Sequence, residues 1–153
     1  MKHVHKSISM IAVVVGVVLA AAAMADNGQH AEAAKPMALR GVMAQLGLDM
    51  QAVTGAIATE DWARIATLAP KIARHAEPPL TEKARILAWL GGDAGKFRGF
   101  DRQVHAAATS VGEAAGRRDG QAVIAAFATV QQSCLGCHRS FRKSFVAHFY
   151  GSR

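Results

Sequence analysis

Apolar residues return every three or four positions along this chain, and this spacing predicts an all-α fold. The clearest stretch follows Pro36, where apolar side chains recur at alternating steps of four and three over residues 39–57. Such residues line one face of a helix, because 3.6 residues make one turn. A high alanine content and few β-branched runs favour helices as well. We therefore expect the first of several amphipathic helices here.

A second helix is predicted after Thr59, which we expect to act as its N-cap. Its apolar stripe runs over residues 62–76. Pro70 interrupts this stripe. Because proline lacks an N–H and clashes with the preceding turn, it should kink the helix or divide it near Ala66.

The connection at residues 77–95 is expected to hold a short helix, capped by Thr81 and closed by the glycine pair 91–92. A third long helix then covers residues 94–117. Its apolar stripe includes two phenylalanines and two valines.

The fourth helix is predicted to start after an N-cap at Asp119, and its apolar line continues to Phe145. Short links and one long crossover between four helices predict an antiparallel four-helix bundle over residues 36–149, followed by a tail at 150–153. In such bundles, cofactor sites are built from inward-facing side chains.

The first 25 residues have the features of an export signal. Lys2 and Lys6 precede an apolar run at residues 11–23, and Ala-Met-Ala at 23–25 fits a cleavage site. The run has about 13 residues, whereas a membrane span needs roughly 20. We expect a cleaved signal, a flexible segment at residues 26–35 and a periplasmic protein without a membrane span; an uncleaved anchor is the alternative.

The chain has two cysteines, and together with His138 they form the sequence Cys134-Leu-Gly-Cys137-His138. Cys-x-x-Cys-His is the attachment signature of c-type haem. On a helix, two thiols one turn apart can bond to the vinyl groups on one side of a porphyrin, and the next imidazole can reach the iron. We expect one covalent haem near the C-terminal helix, with His138 as proximal ligand.

Three other roles for the cysteine pair are less favoured. A zinc site would need further ligands, and the histidines lack the usual paired spacing. A thioredoxin-like redox pair would need a βαβ framework. A disulfide within one helix would close almost no loop and would stabilise little.

With Phe141 and Arg142 following the motif, the sequence resembles the cytochrome c′ and cytochrome c556 family, the class II c-type cytochromes. Residues 134–142 carry the specific part of this resemblance, and the remainder matches in helix pattern. The resemblance implies a four-helix bundle, a periplasmic location, frequent homodimers and a haem between the last and first helices.

The family resemblance also has implications for the side of the haem iron opposite His138. In c556-like members a methionine of the first helix ligates the iron, and in c′-like members a bulky apolar residue leaves it five-coordinate. Met43, on the apolar stripe of the first helix, is the candidate for this ligand, and packing in the core is the alternative role for this methionine. The c′ pattern, counted from Arg40, points to Ala44 instead, and a small residue there would leave an open pocket. Arg40 and Arg142 are candidates for pairing with the haem propionates, and a solvated surface position is the alternative for both.

Electron transfer is the function that these residues favour, and binding of nitric oxide or carbon monoxide by a five-coordinate haem is the alternative. A helical protein that never takes up haem is a third hypothesis. His75 and His105 are less favoured as iron ligands and more typical of partly exposed helix residues. No catalytic arrangement is evident, so an enzyme is not expected.

The net charge of the chain indicates which kind of partner protein it favours. Lys2 and Lys6 carry two of the seven net positive charges, so residues 26–153 carry +5. This balance favours acidic redox partner proteins. One tyrosine and no basic run longer than two residues argue against nucleic acid.

Overall fold

The computed structural model describes residues 36–151, and every regular element within them is helical, which confirms the predicted all-α class. The predicted signal at 1–25, the segment at 26–35 and the last two residues of the predicted tail lie outside the described residues. The helices are α1 (Ala38–Ala58), α2 (Trp62–Ala73), α3 (Leu80–Leu90), α4 (Ala94–Gly116), α5 (Gly120–Cys137) and α6 (Lys143–Tyr150). A 3₁₀ turn at Gly91–Asp93 links α3 to α4, and a π-helical segment at His138–Arg142 links α5 to α6.

Two aspartates start helices by capping them. The carboxylate of Asp119 accepts a hydrogen bond from the backbone N–H of Ala122, as the sequence predicts. The prediction that Thr59 caps α2 is wrong, because Asp61 does so by accepting from the N–H of Arg64. Thr59 instead ends α1, and Glu60 takes a left-handed φ of 53° to reverse the chain.

The predicted division of α2 near Ala66 is also wrong, since the helix continues through Ala66 and Pro70 to Ala73. The ring of Pro70 lies toward α4, where a Cβ added to Gly112 would come within 4.0 Å of its Cδ. The helix ends at Ala73, which is three residues after the proline. The sequence predicts an end three residues later, at position 76. The N–H of Arg74 closes the last turn on the carbonyl of Pro70.

The short helix predicted in the connection is present as α3. Its N-cap is Pro79 without a side-chain hydrogen bond, so the predicted cap at Thr81 is wrong. Gly91 ends the helix as expected, and its φ of 51° explains why glycine stands there.

A core made mostly of small and β-branched residues, called the alanine core below, is shared by α1, α2, α4 and α5. The closely packed helix pairs are α1 with α2, α2 with α4, and α4 with α5. Small side chains allow this close approach: a Cβ on Gly112 of α4 would lie 3.5 Å from Cβ of Ala69. The buried members are Val53, Ala56, Ile65, Leu68, Ala69, Ile72, Ala73, Val104, Ala107, Ala108, Val111, Ala114, Ala115, Val123, Phe127 and Val130.

A second apolar region, called the aromatic cluster below, joins the start of α1 to α3 and to the end of the last helix. Polar contacts fix the same junction: Glu82 of α3 accepts from the N–H groups of Ala38 and Leu39, both at 2.8 Å, and the N–H of Met37 donates to the Tyr150 hydroxyl at 2.9 Å. Its buried members are Met37, Ile86, Leu90 and Phe141, surrounded by Leu39, Leu87, Trp89, Ala94, Phe97, Phe100, Cys137, Phe145, Phe149 and Tyr150.

No helix within residues 36–151 combines the length and apolar character that crossing a bilayer requires.

Candidate functional site

The Cys-x-x-Cys-His residues lie where α5 changes into the π-helical segment. Cys137 is the last residue of α5, and His138 is the first of the π segment. At about 100° per residue, Cys134, Cys137 and His138 fall within an arc of roughly 100° on one side of the helix. The structure therefore brings these three predicted residues together. Single π-helical turns inside α-helices are often found at functional sites.

Both cysteines are half-buried free thiols that border different apolar regions. Cys134 packs against the alanine core, and Cys137 packs against the aromatic cluster. Burial raises the pKa of the Cys134 thiol above its ordinary value. The pKa of Cys137 is raised to about 11, first by burial and then by the negative charges of Cys134 and Asp101. Near neutral pH, both sulfurs are uncharged groups in an apolar setting.

Gly136, between the two cysteines, lets α4 approach the motif closely. A Cβ at this position would lie 2.7 Å from Cε1 of Phe100, which is closer than two carbon atoms can approach. Any other residue would push the Phe100 ring away. The close packing of the Phe100 ring against Gly136 thus explains why the motif has a glycine between its two cysteines.

The predicted site residues other than the two cysteines are exposed. His138 and Arg142 are exposed at the two ends of the π-helical segment, and Arg40 is exposed on α1. Met43 is 39% exposed and belongs to neither apolar region. Leu135, inside the motif, is 49% exposed, so the face around His138 presents a large apolar side chain to solvent.

A second group of chemically active side chains was missed by sequence reasoning. Nε2 of His75 lies 3.6 Å from Oδ1 of Asp101, and Nε2 of His105 lies 3.5 Å from Oδ2 of the same carboxylate. The two imidazole ring centroids are 5.0 Å apart. Asp101 and His105 show the i, i+4 spacing of one helix face, a signal available from the sequence.

His75 is partly exposed, as predicted, but it does not lie in a helix. It follows the C-cap of α2, Arg74, and therefore lies beyond the helix. Its side chain is only 14% exposed, and its Nδ1 is buried without a hydrogen-bond partner in the described part of the chain.

Comparison with known proteins adds no relative. No family model matches the chain, and neither a characterised protein nor a solved structure does so.

Proposed function

We propose that this chain is an exported monohaem c-type cytochrome that carries electrons in the periplasm, with the antiparallel four-helix architecture of the c′ and c556 type. One observation carries the proposal: two free, half-buried thiols and an imidazole lie side by side on one arc of a helix. This is the arrangement that two thioether bonds and a proximal ligand require.

The surroundings of the thiols suit a large apolar group. One sulfur borders the alanine core and the other borders aromatic rings, among them Phe97 and Phe100. Neutral thiols with raised pKa values fit this setting better than a charged metal-thiolate pair would. The resemblance to the c′ and c556 family would place the haem between the first and last helices of the bundle.

Each motif residue would have a distinct task. Cys134 and Cys137 would hold the haem through two thioether bonds, and His138 would ligate its iron. The exposed imidazole of His138 can turn without displacing a packed neighbour. When bound, haem supplies a reversible one-electron iron couple. The aromatic rings beside Cys137 would exclude water from that couple.

Met43 is the proposed sixth ligand. Because its side chain lies outside both apolar regions, it can change rotamer without opening either of them. A thioether and an imidazole hold iron in a similar geometry in both oxidation states, which favours electron transfer. Arg40 and Arg142 have exposed guanidinium groups suited to the haem propionates, and the net positive charge favours acidic partner proteins.

An optical spectrum of the periplasmically matured protein tests this function. We expect sharp low-spin bands in both oxidation states for the natural sequence. Met43→Leu keeps the side-chain volume but removes the sulfur, so its spectrum should become high-spin. Met50→Leu is the matched control, because Met50 also lies on α1 but packs against the alanine core, and it should leave the bands unchanged.

Other spectra would contradict the proposal in different ways. High-spin bands in the natural protein, with binding of carbon monoxide, would indicate the gas-binding alternative. Low-spin bands that survive Met43→Leu would show that another residue ligates the iron. A matured protein without a Soret band would exclude both haem functions.

A further inference from the structure

Two side chains of α4 and one from the segment after α2 converge on one point outside the cysteine motif. His75 follows the end of α2, whereas Asp101 and His105 lie one turn apart on α4. One ligand atom from each of the three lies within 4.8 Å of the other two. The Asp101 carboxylate turns one oxygen toward each imidazole Nε2, at 3.6 Å for His75 and 3.5 Å for His105.

These distances do not fit direct hydrogen bonds. An N–H···O bond has its heavy atoms 2.7–3.2 Å apart, and a contact of about 3.6 Å is not one. Each distance is close to the separation of two atoms that ligate one metal ion, and one ligand atom from each of the three residues lies within 4.8 Å of the other two. With bonds of about 2.0–2.1 Å to a tetrahedral zinc ion, neighbouring ligand atoms lie roughly 3.4 Å apart.

The surroundings of His75 indicate which ring nitrogen could ligate a metal ion. Nε2 faces the Asp101 carboxylate, whereas Nδ1 is buried without a hydrogen-bond partner among the described residues. Nε2 is therefore the nitrogen that an ion at this cluster would reach.

Access and donor chemistry indicate the class of metal. The side chains of His105 and Asp101 are 41% and 46% exposed, so an ion can reach the cluster and a water molecule can complete its coordination. Two imidazoles and one carboxylate suit Zn²⁺ and Cu²⁺ rather than Mg²⁺ or Ca²⁺, which prefer oxygen ligands alone.

We propose that His75, Asp101 and His105 form a binding site for one divalent transition-metal ion of the zinc and copper class. The bound ion ties the end of α2 to the middle of α4. Since an ion that binds the folded chain alone favours folding, it stabilises this junction. The proposal does not depend on haem attachment.

Calorimetric titration of Zn²⁺ into tag-free, chelator-treated matured protein tests the site. We expect one equivalent to bind. Asp101→Asn and His105→Gln should each weaken binding by about 100-fold or more, because loss of even an outer partner costs 10–100-fold. Asp93→Asn and His148→Gln, which change exposed residues elsewhere, are the matched controls and should bind as the natural protein does.

A second measurement keeps the test valid if a variant folds poorly. Cu²⁺ bound to the natural protein should show electron paramagnetic coupling to two imidazole nitrogens, and His105→Gln should reduce it to one. Binding that survives Asp101→Asn, or that His148→Gln weakens equally, would overturn the proposal. A changed haem spectrum in His105→Gln would also overturn it, because this result would assign the histidine to the iron.

Discussion

The alanine core and the aromatic cluster are built from different side chains and serve different parts of the molecule. In the alanine core, small residues let α1, α2, α4 and α5 pack around one continuous interior. In the aromatic cluster, large rings fill the space where α3, the start of α1 and the end of the last helix meet. The cysteine motif lies at the boundary, with one thiol against each region. The comparison indicates that one region holds the fold and the other shapes the site.

The largest expected effect comes from removing a ring of the aromatic cluster. Phe141 is 8% exposed, and Phe→Ala changes in cores cost about 3–5 kcal/mol. The segment after Cys137 packs in this cluster, so Phe141→Ala should release residues 138–150 while the alanine core remains folded. Amide hydrogen exchange should show protection lost in that segment and kept in α2 and α4. Equal loss in all helices would contradict the separation of the two regions.

Truncating a smaller side chain in the alanine core should instead destabilise the whole fold. Ile65 is fully buried, and Ile→Ala changes cost about 2–5 kcal/mol. Ile65→Ala should lower the unfolding midpoint in urea and reduce protection in all four core helices. Ile65→Val, which costs about 0.5–1.5 kcal/mol, gives the graded control. A loss confined to α2 would show that this core is not cooperative.

The smallest effect is expected from ionisation of the Cys137 thiol in a chain that carries no haem. With the pKa of Cys137 raised to about 11, the folded state keeps its proton longer than the unfolded state, in which a thiol has its ordinary value of 9.0. The contribution of the Cys137 thiol to the free energy of unfolding of the haem-free chain is therefore complete below pH 9. This contribution decreases as the pH rises toward 11. Urea midpoints measured across this range check the direction.

The haem-loaded protein is the control for this titration, because thioether sulfurs bind no proton in this range. Its midpoints should show no loss that depends on these two residues. A Cys137 thiol that reacts with a disulfide reagent at pH 8 as quickly as an unfolded thiol would contradict the burial on which the prediction rests.

Much of the helix pattern could be predicted because it depends on local periodicity. The apolar stripes locate the helices, and Asp119 is predicted as a cap because it is the only Ser, Thr, Asp or Asn residue in the turn before α5. Thr59 and Asp61 are both good capping residues, and local sequence does not distinguish them. The reversal through Glu60 decides between them, and it depends on how α2 folds back on α1.

The less predictable features depend on packing between helices. The π segment at His138–Arg142 interrupts a sequence that continues its helical stripe, so periodicity gives no sign of it. The meeting of His75 with Asp101 requires that α2 end at Ala73 and lie along α4. Neither condition can be derived from the spacing of apolar residues, because each depends on contacts distant in the chain.

Mass spectrometry of the secreted protein after denaturation tests the central claim most directly. It should be produced in a host that matures another c-type cytochrome, which serves as the positive control. We predict a chain that starts at Asp26 and carries the mass of one haem, and that loses this mass when both Cys134 and Cys137 are changed to alanine. An unmodified polypeptide from cells that mature the control cytochrome would contradict the account.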